Sequence, residues 1–137
     1  FAVGDRIEYG IGIDHNPKYV NVSNKISRYN NYNCEFYYHD LDNDNLSTIN
    51  DYSLVDSFDV VFLCAVCCHI KNWKEVIDWV YENSQHCLFE SNGTDIDQQE
   101  QWLHLMATFD SVELLSNQSN DDYYQKNRKL YWCSKRI

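Results

Sequence analysis

The sequence predicts an α/β fold: a doubly wound, mostly parallel sheet with helices on both faces and an antiparallel hairpin at its C-terminal end. Three observations carry that expectation. The apolar run Tyr9-Gly10-Ile11-Gly12-Ile13 ends abruptly in Asp14 and is followed by His15-Asn16-Pro17, a helix start with Asn16 as cap and Pro17 at the first helical position. Phe58-Asp59-Val60-Val61-Phe62-Leu63-Cys64 is the near-continuous apolar run of a parallel strand buried on both faces. Two late strand-like segments, Ser111 to Ser116 and Lys129 to Ser134, close the chain without a helical pattern between them.

Each element follows in order from its spacing. After the strand ending at Asp14, Tyr19, Val22, Ile26 and Tyr29 recur at helical spacing and predict a helix from Pro17 to Tyr29 with that stripe buried. Asn30 to Asn33 is a turn, and Cys34 to Tyr38 a second strand ending in His39-Asp40-Leu41. The polar stretch from Leu41 to Asp56 holds a short helix around Leu46 to Tyr52. The run Phe58 to Cys64 leads into Ala65-Val66-Cys67-Cys68-His69-Ile70. Trp73, Val76, Ile77 and Val80 mark a helix capped near Asn72 and ending near Asn83. His86 to Glu90 is a strand leading to the turn Ser91-Asn92-Gly93, and Asp97 to Ala107 a helix with Trp102, Leu103 and Met106 facing inward. The spacing of Trp73, Trp79, Trp102 and Trp132 places them in the core, and Asn117 to Asn127 forms an exposed polar loop between the last two strands.

Composition narrows the class. A chain of 137 residues, 44% hydrophobic and 15% aromatic, suits one globular domain. A formal charge of −10, from 21 acidic against 11 basic residues that do not cluster in sequence, argues against nucleic acid as substrate. No run approaches the roughly eighteen apolar residues of a transmembrane helix, so no membrane partner is expected. Cys64, Cys67 and Cys68 form a Cys-x-x-Cys-Cys cluster, but a four-ligand zinc site needs a second pair or suitably spaced histidines, and Cys34, Cys87 and Cys133 stand singly. Reduced, buried thiols in a cytoplasmic protein are the simpler account, and no metal is expected.

A strand, an acid at its carboxyl end and then a helix is how a doubly wound sheet offers a carboxylate to the two hydroxyls of a ribose, which makes Asp14 a cofactor candidate; the alternative is a polar strand end that merely starts a helix. Taken with Gly12-Ile13-Asp14, Asp40-Leu41, Phe58-Asp59-Val60-Val61, His69-Ile70 and the closing strand pair, the sequence resembles the class I S-adenosylmethionine-dependent methyltransferases from their second strand onward. The glycine-rich loop and first strand of that family are missing. Phe1 to Glu8 reads as the tail of the helix after that loop, so both are expected upstream, and the chain is read as one partial domain of a Rossmann-like methyltransferase.

The resemblance implies S-adenosylmethionine as cofactor and further site residues. Asp40 would accept from the exocyclic amine of adenine while the backbone N–H of Leu41 meets a ring nitrogen; alternatively Asp40, Asp42 and Asp44 form a solvated acidic loop. His15 stands where an imidazole could stack on adenine, and Cys64, Ala65 and Val66 at the rim where the methionine portion lies and the acceptor pocket begins. His69, whose imidazole can accept a proton, is the candidate general base, or else a helix-start residue. Glu90, at a strand end, would orient an acceptor or bond the following turn. The function expected is methyl transfer to a small-molecule or protein acceptor. The alternatives are a methyltransferase-like binding or scaffolding module without catalysis, and a nicotinamide dinucleotide-binding domain, against which the closing hairpin and Asp40-Leu41 argue.

Overall fold

Residues 6–119 and 124–136 are described by the computed structural model, and the chain divides after Leu54 into two units. In the first, β1 (Gly10–Asp14), α1 (Pro17–Tyr29), β2 (Cys34–Tyr38) and the short α2 (Thr48–Asp51) follow in order. β1 and β2 pair in parallel from Gly10 opposite Cys34 to Asp14 opposite Tyr38. Glycine is required at position 12, where a Cβ would come within 2.4 Å of the Phe36 ring. Asn16 caps α1 by accepting from Lys18 N at 3.0 Å, with Pro17 opening the helix as its fixed φ allows.

The helix has the expected bounds but not the expected inner face. Tyr19 is 61% and Tyr29 88% exposed, with Val22 and Ile26 also exposed, whereas Ser27 is buried and Val20, Ser23 and Asn24 are half-buried beside it. The cause is hydrogen bonding. Asn24 Nδ2 donates to Phe36 O at 2.8 Å and its Oδ1 accepts from Phe36 N at 2.9 Å, so a side-chain amide occupies one backbone donor and acceptor of β2 in place of a further strand. Ser27 Oγ donates to Tyr32 O and Cys34 O, fastening the turn into β2. The apolar stripe lies about one residue, or roughly 100°, round the helix from the face the backbone needed.

The second unit contains β3 (Phe58–Cys64), a 3-10 turn (Cys67–His69), α3 (Trp73–Asn83), β4 (Ser84–Glu90), α4 (Asp95–Thr108), β5 (Ser111–Ser116) and β6 (Leu130–Ser134). Its sheet runs β3-β4-β6-β5, with β3 and β4 parallel and β6 antiparallel to both β4 and β5. The antiparallel closing pair is therefore as expected, with β6 inserted between β4 and the edge strand β5. The four strands expected as neighbours in one parallel sheet are instead divided, β1 and β2 in a two-stranded sheet and β3 and β4 in a four-stranded one.

Val76, Ile77 and Val80 of α3 pack with Cys87 and Phe89 of β4, Leu105 and Phe109, and Tyr131 and Cys133 of β6 into the buried core of this unit. β3 is covered on one face only: Leu63 is buried, and Phe62 is 57% exposed. On α4, Trp102, Leu103 and Met106 are exposed where an inward stripe was expected, and Gln98, Gln101 and Leu105 are buried instead. Trp73, Trp79 and Trp132 are half-buried, so none of the four tryptophans reaches the interior fully. Arg6 to Glu8 are not helical, contrary to the expected helix tail; the rest of that segment and residues 120–123 of the polar loop lie outside the described residues. No helix among the described residues is long and apolar enough to cross a membrane.

Candidate functional site

The candidate residues fall into two groups, one in each unit. In the first, parallel pairing places the carboxyl ends of β1 and β2 side by side, and His39 N donates to Asp14 O at 3.1 Å, which locks the two strand ends together. Asp14 Oδ1 accepts from Asn16 N at 2.7 Å, so the carboxylate helps start α1. Its other oxygen has no hydrogen-bond partner among the described residues. The His15 ring, largely exposed, lies 3.8 Å from Asp14 Oδ1. His39 is buried, with Nδ1 at 3.4 Å from the Tyr52 hydroxyl and Nε2 without a partner, beside the stacked pair Tyr37 and Tyr52.

Asp40 has a local task. Its Oδ2 accepts from the Asn43 side chain at 2.8 Å and its Oδ1 from Asp42 N at 2.9 Å, and these two bonds, that from Asn43 foremost, hold the carboxyl below the usual carboxylate range. Asp44 Oδ2 in turn accepts from Asp40 N. The acidic loop is thus a knot of side-chain-to-backbone turns that keeps Asp40 ionised at the strand end beside Leu41.

In the second unit the loop leaving β3 bends sharply. Ala65 has φ +56°, a left-handed conformation that a residue with a Cβ rarely adopts, and its N–H donates to Glu90 O at 3.0 Å. The Cys64 thiol is raised in pKa by desolvation and then by the Glu90 carboxylate, so it stays protonated near neutrality. Glu90 does not bond the turn that follows it; its carboxylate meets Arg128 at 3.5 Å, and both side chains are nearly buried, at 15% and 16% exposure. His69 is exposed, its Nδ1 3.7 Å from Cys68 Sγ. Among the described residues, no group of three His, Cys, Asp or Glu side chains is placed to hold a metal.

Sequence reasoning missed what shapes this region. A cavity of about 330 Å³ opens beside the β3 loop, lined by Cys67, Cys68, Lys71 and Trp73 and, from α4, by Asp97, Glu100 and Gln101. His69 is not among its lining residues, although Cys68 and Ile70 on either side of it are. Gly93 has φ +91°, and a Cβ there would meet Asp97 and Cys68 within 3 Å. Below lies a buried polar network. Asn92 Nδ2 donates to Ala65 O and its Oδ1 accepts from Cys68 N, Gln101 brackets the Asn92 backbone, and Ser91 Oγ donates to Gln98 Oε1. The signal was present in the turn Asn92-Gly93 after a strand and in Gln98 and Gln101, one helical turn apart, but amides on a helix read as solvent-facing until a buried loop claims them.

No family model matches the sequence, and no curated protein does. Solved structures do. The N-terminal domain of EvdMO1, in the presence of SAH and D-fucose, superposes with a TM-score of 0.73 over 96% of this chain and 69% of that one, at 10% identity. The chain has the fold of the class I S-adenosylmethionine-dependent methyltransferases. The methyltransferase domain of bacterial CtHen1-C matches at TM-score 0.62 and 11% identity, over 95% of this chain and 78% of that one. TehB from Haemophilus influenzae matches at 0.61 and 14%, over 92% and 49%. The chain spans 33% of full-length EvdMO1, to which it is 12% identical, with a TM-score of 0.72.

Proposed function

We propose that this protein is an S-adenosylmethionine-dependent methyltransferase whose acceptor is a small molecule or a protein. The observation that supports it most is the pair of carboxylates, Asp14 and Asp40, at adjacent ends of two parallel strands, in a fold shared with a domain solved with SAH. In the first unit, Asp14 has one oxygen anchored on Asn16 N and the other available for the ribose hydroxyls. Asp40, each of whose oxygens accepts one bond from its loop, retains lone pairs for the adenine amine, and the resemblance assigns Leu41 to a ring nitrogen and His15 to stacking on the base. In the second unit, Cys64 and Ala65 are assigned to the methionine portion and the cavity beside Cys68 to the acceptor.

When bound, S-adenosylmethionine supplies the methyl group, whose bond to sulfur breaks, leaving its electron pair on sulfur, as an acceptor lone pair forms the new bond. The chain's part is positioning: the cavity holds the acceptor in line with the methyl group, and His69, next in sequence to the lining residue Cys68, is assigned the proton the acceptor releases. A second reading, a methyltransferase-like binding module without catalysis, is favoured by two observations: Glu90 is engaged by Arg128, and His69 lies outside the cavity lining. Transfer of label from methyl-labelled cofactor to an acceptor pool separates the two.

Binding is tested first. In the complete protein, Asp14→Ala should weaken S-adenosylmethionine by about 1.5–3 kcal/mol, as for loss of a hydrogen bond to a charged group. Calorimetry showing equal affinity in the variant removes Asp14 from the site.

A further inference from the structure

We propose that Asn92 is a positioning residue that holds the loop after β3 in the shape methyl transfer requires; the inference rests on the methyltransferase reading above. Asn92 is fully buried, at 0% exposure. Its Nδ2 donates to Ala65 O at 2.7 Å and its Oδ1 accepts from Cys68 N at 3.0 Å. In a closed four-residue turn from Ala65 to Cys68 those two backbone groups would bond each other. Here a side-chain amide stands between them and satisfies both. The bridge needs a donor and an acceptor on one short side chain, which asparagine provides and aspartate does not.

The bridge also explains the backbone of Ala65. With φ at +56°, this alanine occupies a conformation that persists only where its surroundings hold it. It is held on both sides, by its N–H to Glu90 O and by its carbonyl to Asn92. Asn92 is itself fixed, since Gln101, also buried, accepts from its N–H at 3.1 Å and donates to its carbonyl at 2.9 Å. One strap therefore runs from α4 through Asn92 to the loop, with Cys64 just before the loop and His69 just after it. A loop that relaxes at Ala65 displaces both of these residues at once.

The test uses the full chain, with S-adenosylhomocysteine as the probe of binding. Asn92→Asp keeps the acceptor for Cys68 and loses the donor for Ala65. The 13C shifts of Ala65, which report the sign of φ, should leave the left-handed range, and affinity should fall about tenfold, as for loss of one buried hydrogen bond. Adding Ala65→Gly should restore affinity to within about threefold, because glycine takes positive φ without a steric penalty. As a control, Ser84→Ala removes a buried hydroxyl that bonds Val80 O at 2.7 Å, and should lower Tm while leaving affinity unchanged. Unchanged affinity in Asn92→Asp, or an equal loss in Ser84→Ala, overturns the role of Asn92. Failure of the complete, unmodified protein to bind the probe overturns the methyltransferase reading and this inference with it; binding by the complete protein with no effect of Asn92→Asp overturns this inference alone.

Discussion

Asp14, Asp40, His69 and Glu90 were each assignable from the sequence to a strand end or the loop after one, because a polar residue that interrupts an apolar run marks where a strand leaves the sheet. What each carboxylate bonds was not legible. Asp40 spends an oxygen on Asn43 and another on Asp42, and Glu90 pairs with Arg128, thirty-eight positions away in the chain. His69 carries the clearest prediction at this scale. If it takes the acceptor's proton, His69→Ala should slow methyl transfer by about 10²–10⁴-fold while cofactor affinity stays constant, since proton transfer matters only on the way to the transition state. Single-turnover rates beside calorimetric affinities check this, and a small rate loss accompanied by a lower Tm assigns His69 to the start of the helical segment instead.

Among the elements, α1 and α4 teach the same lesson. Both have the predicted period and bounds within two residues, and both turn a different face inward, because Asn24, Ser27, Gln98 and Gln101 are needed by backbone groups of nearby strands and turns. Asn24→Ala should therefore cost about 1–2 kcal/mol by removing its two hydrogen bonds to the Phe36 backbone, whereas Val22→Ser on the exposed stripe should stay within about 0.5 kcal/mol; urea unfolding of the two variants compares them. At the start of α4, Thr94 and Asp97 form a reciprocal capping box. The Thr94 hydroxyl, and then its N–H, hold Asp97 below its usual range. A carboxyl depressed on folding stabilises the protein above its unfolded-state pKa, and that contribution is lost as pH falls through the folded value. Thr94→Ala should return Asp97 toward the ordinary carboxylate range in an NMR titration and flatten the acid limb of the stability curve.

Taken whole, the molecule holds three of its six free thiols buried and two exposed, with Cys34 half-buried between them. Burial pushes Cys67 and Cys133 up to about 12 and Cys87 higher still, the last two being directly opposed across β4 and β6, while Cys64 and Cys68 are exposed. Since the thiolate is the reacting form and Cys64 and Cys68 are both raised in pKa, iodoacetamide should label these two exposed thiols slowly near neutrality and faster as pH rises, and reach Cys67, Cys87 and Cys133 only on unfolding. Peptide mass spectrometry reads this out; labelling of Cys87 in the native protein would contradict the packing of β4 against β6.

The sequence by itself determined the order and type of the elements, the late antiparallel strand pair and the strand-end positions of the candidate acids. Those properties rest on local signals: caps such as Asn16-Pro17, apolar runs, and the abrupt polar residue that ends each strand. Only the tertiary structure decided which helix faces turn inward, that β6 lies between β4 and β5, and that Asn92 bridges the Ala65 turn. These depend on which backbone donors and acceptors remain unpaired once strands and turns have formed. A buried amide answering such a group is set by partners distant in sequence, and periodicity assigns it to solvent.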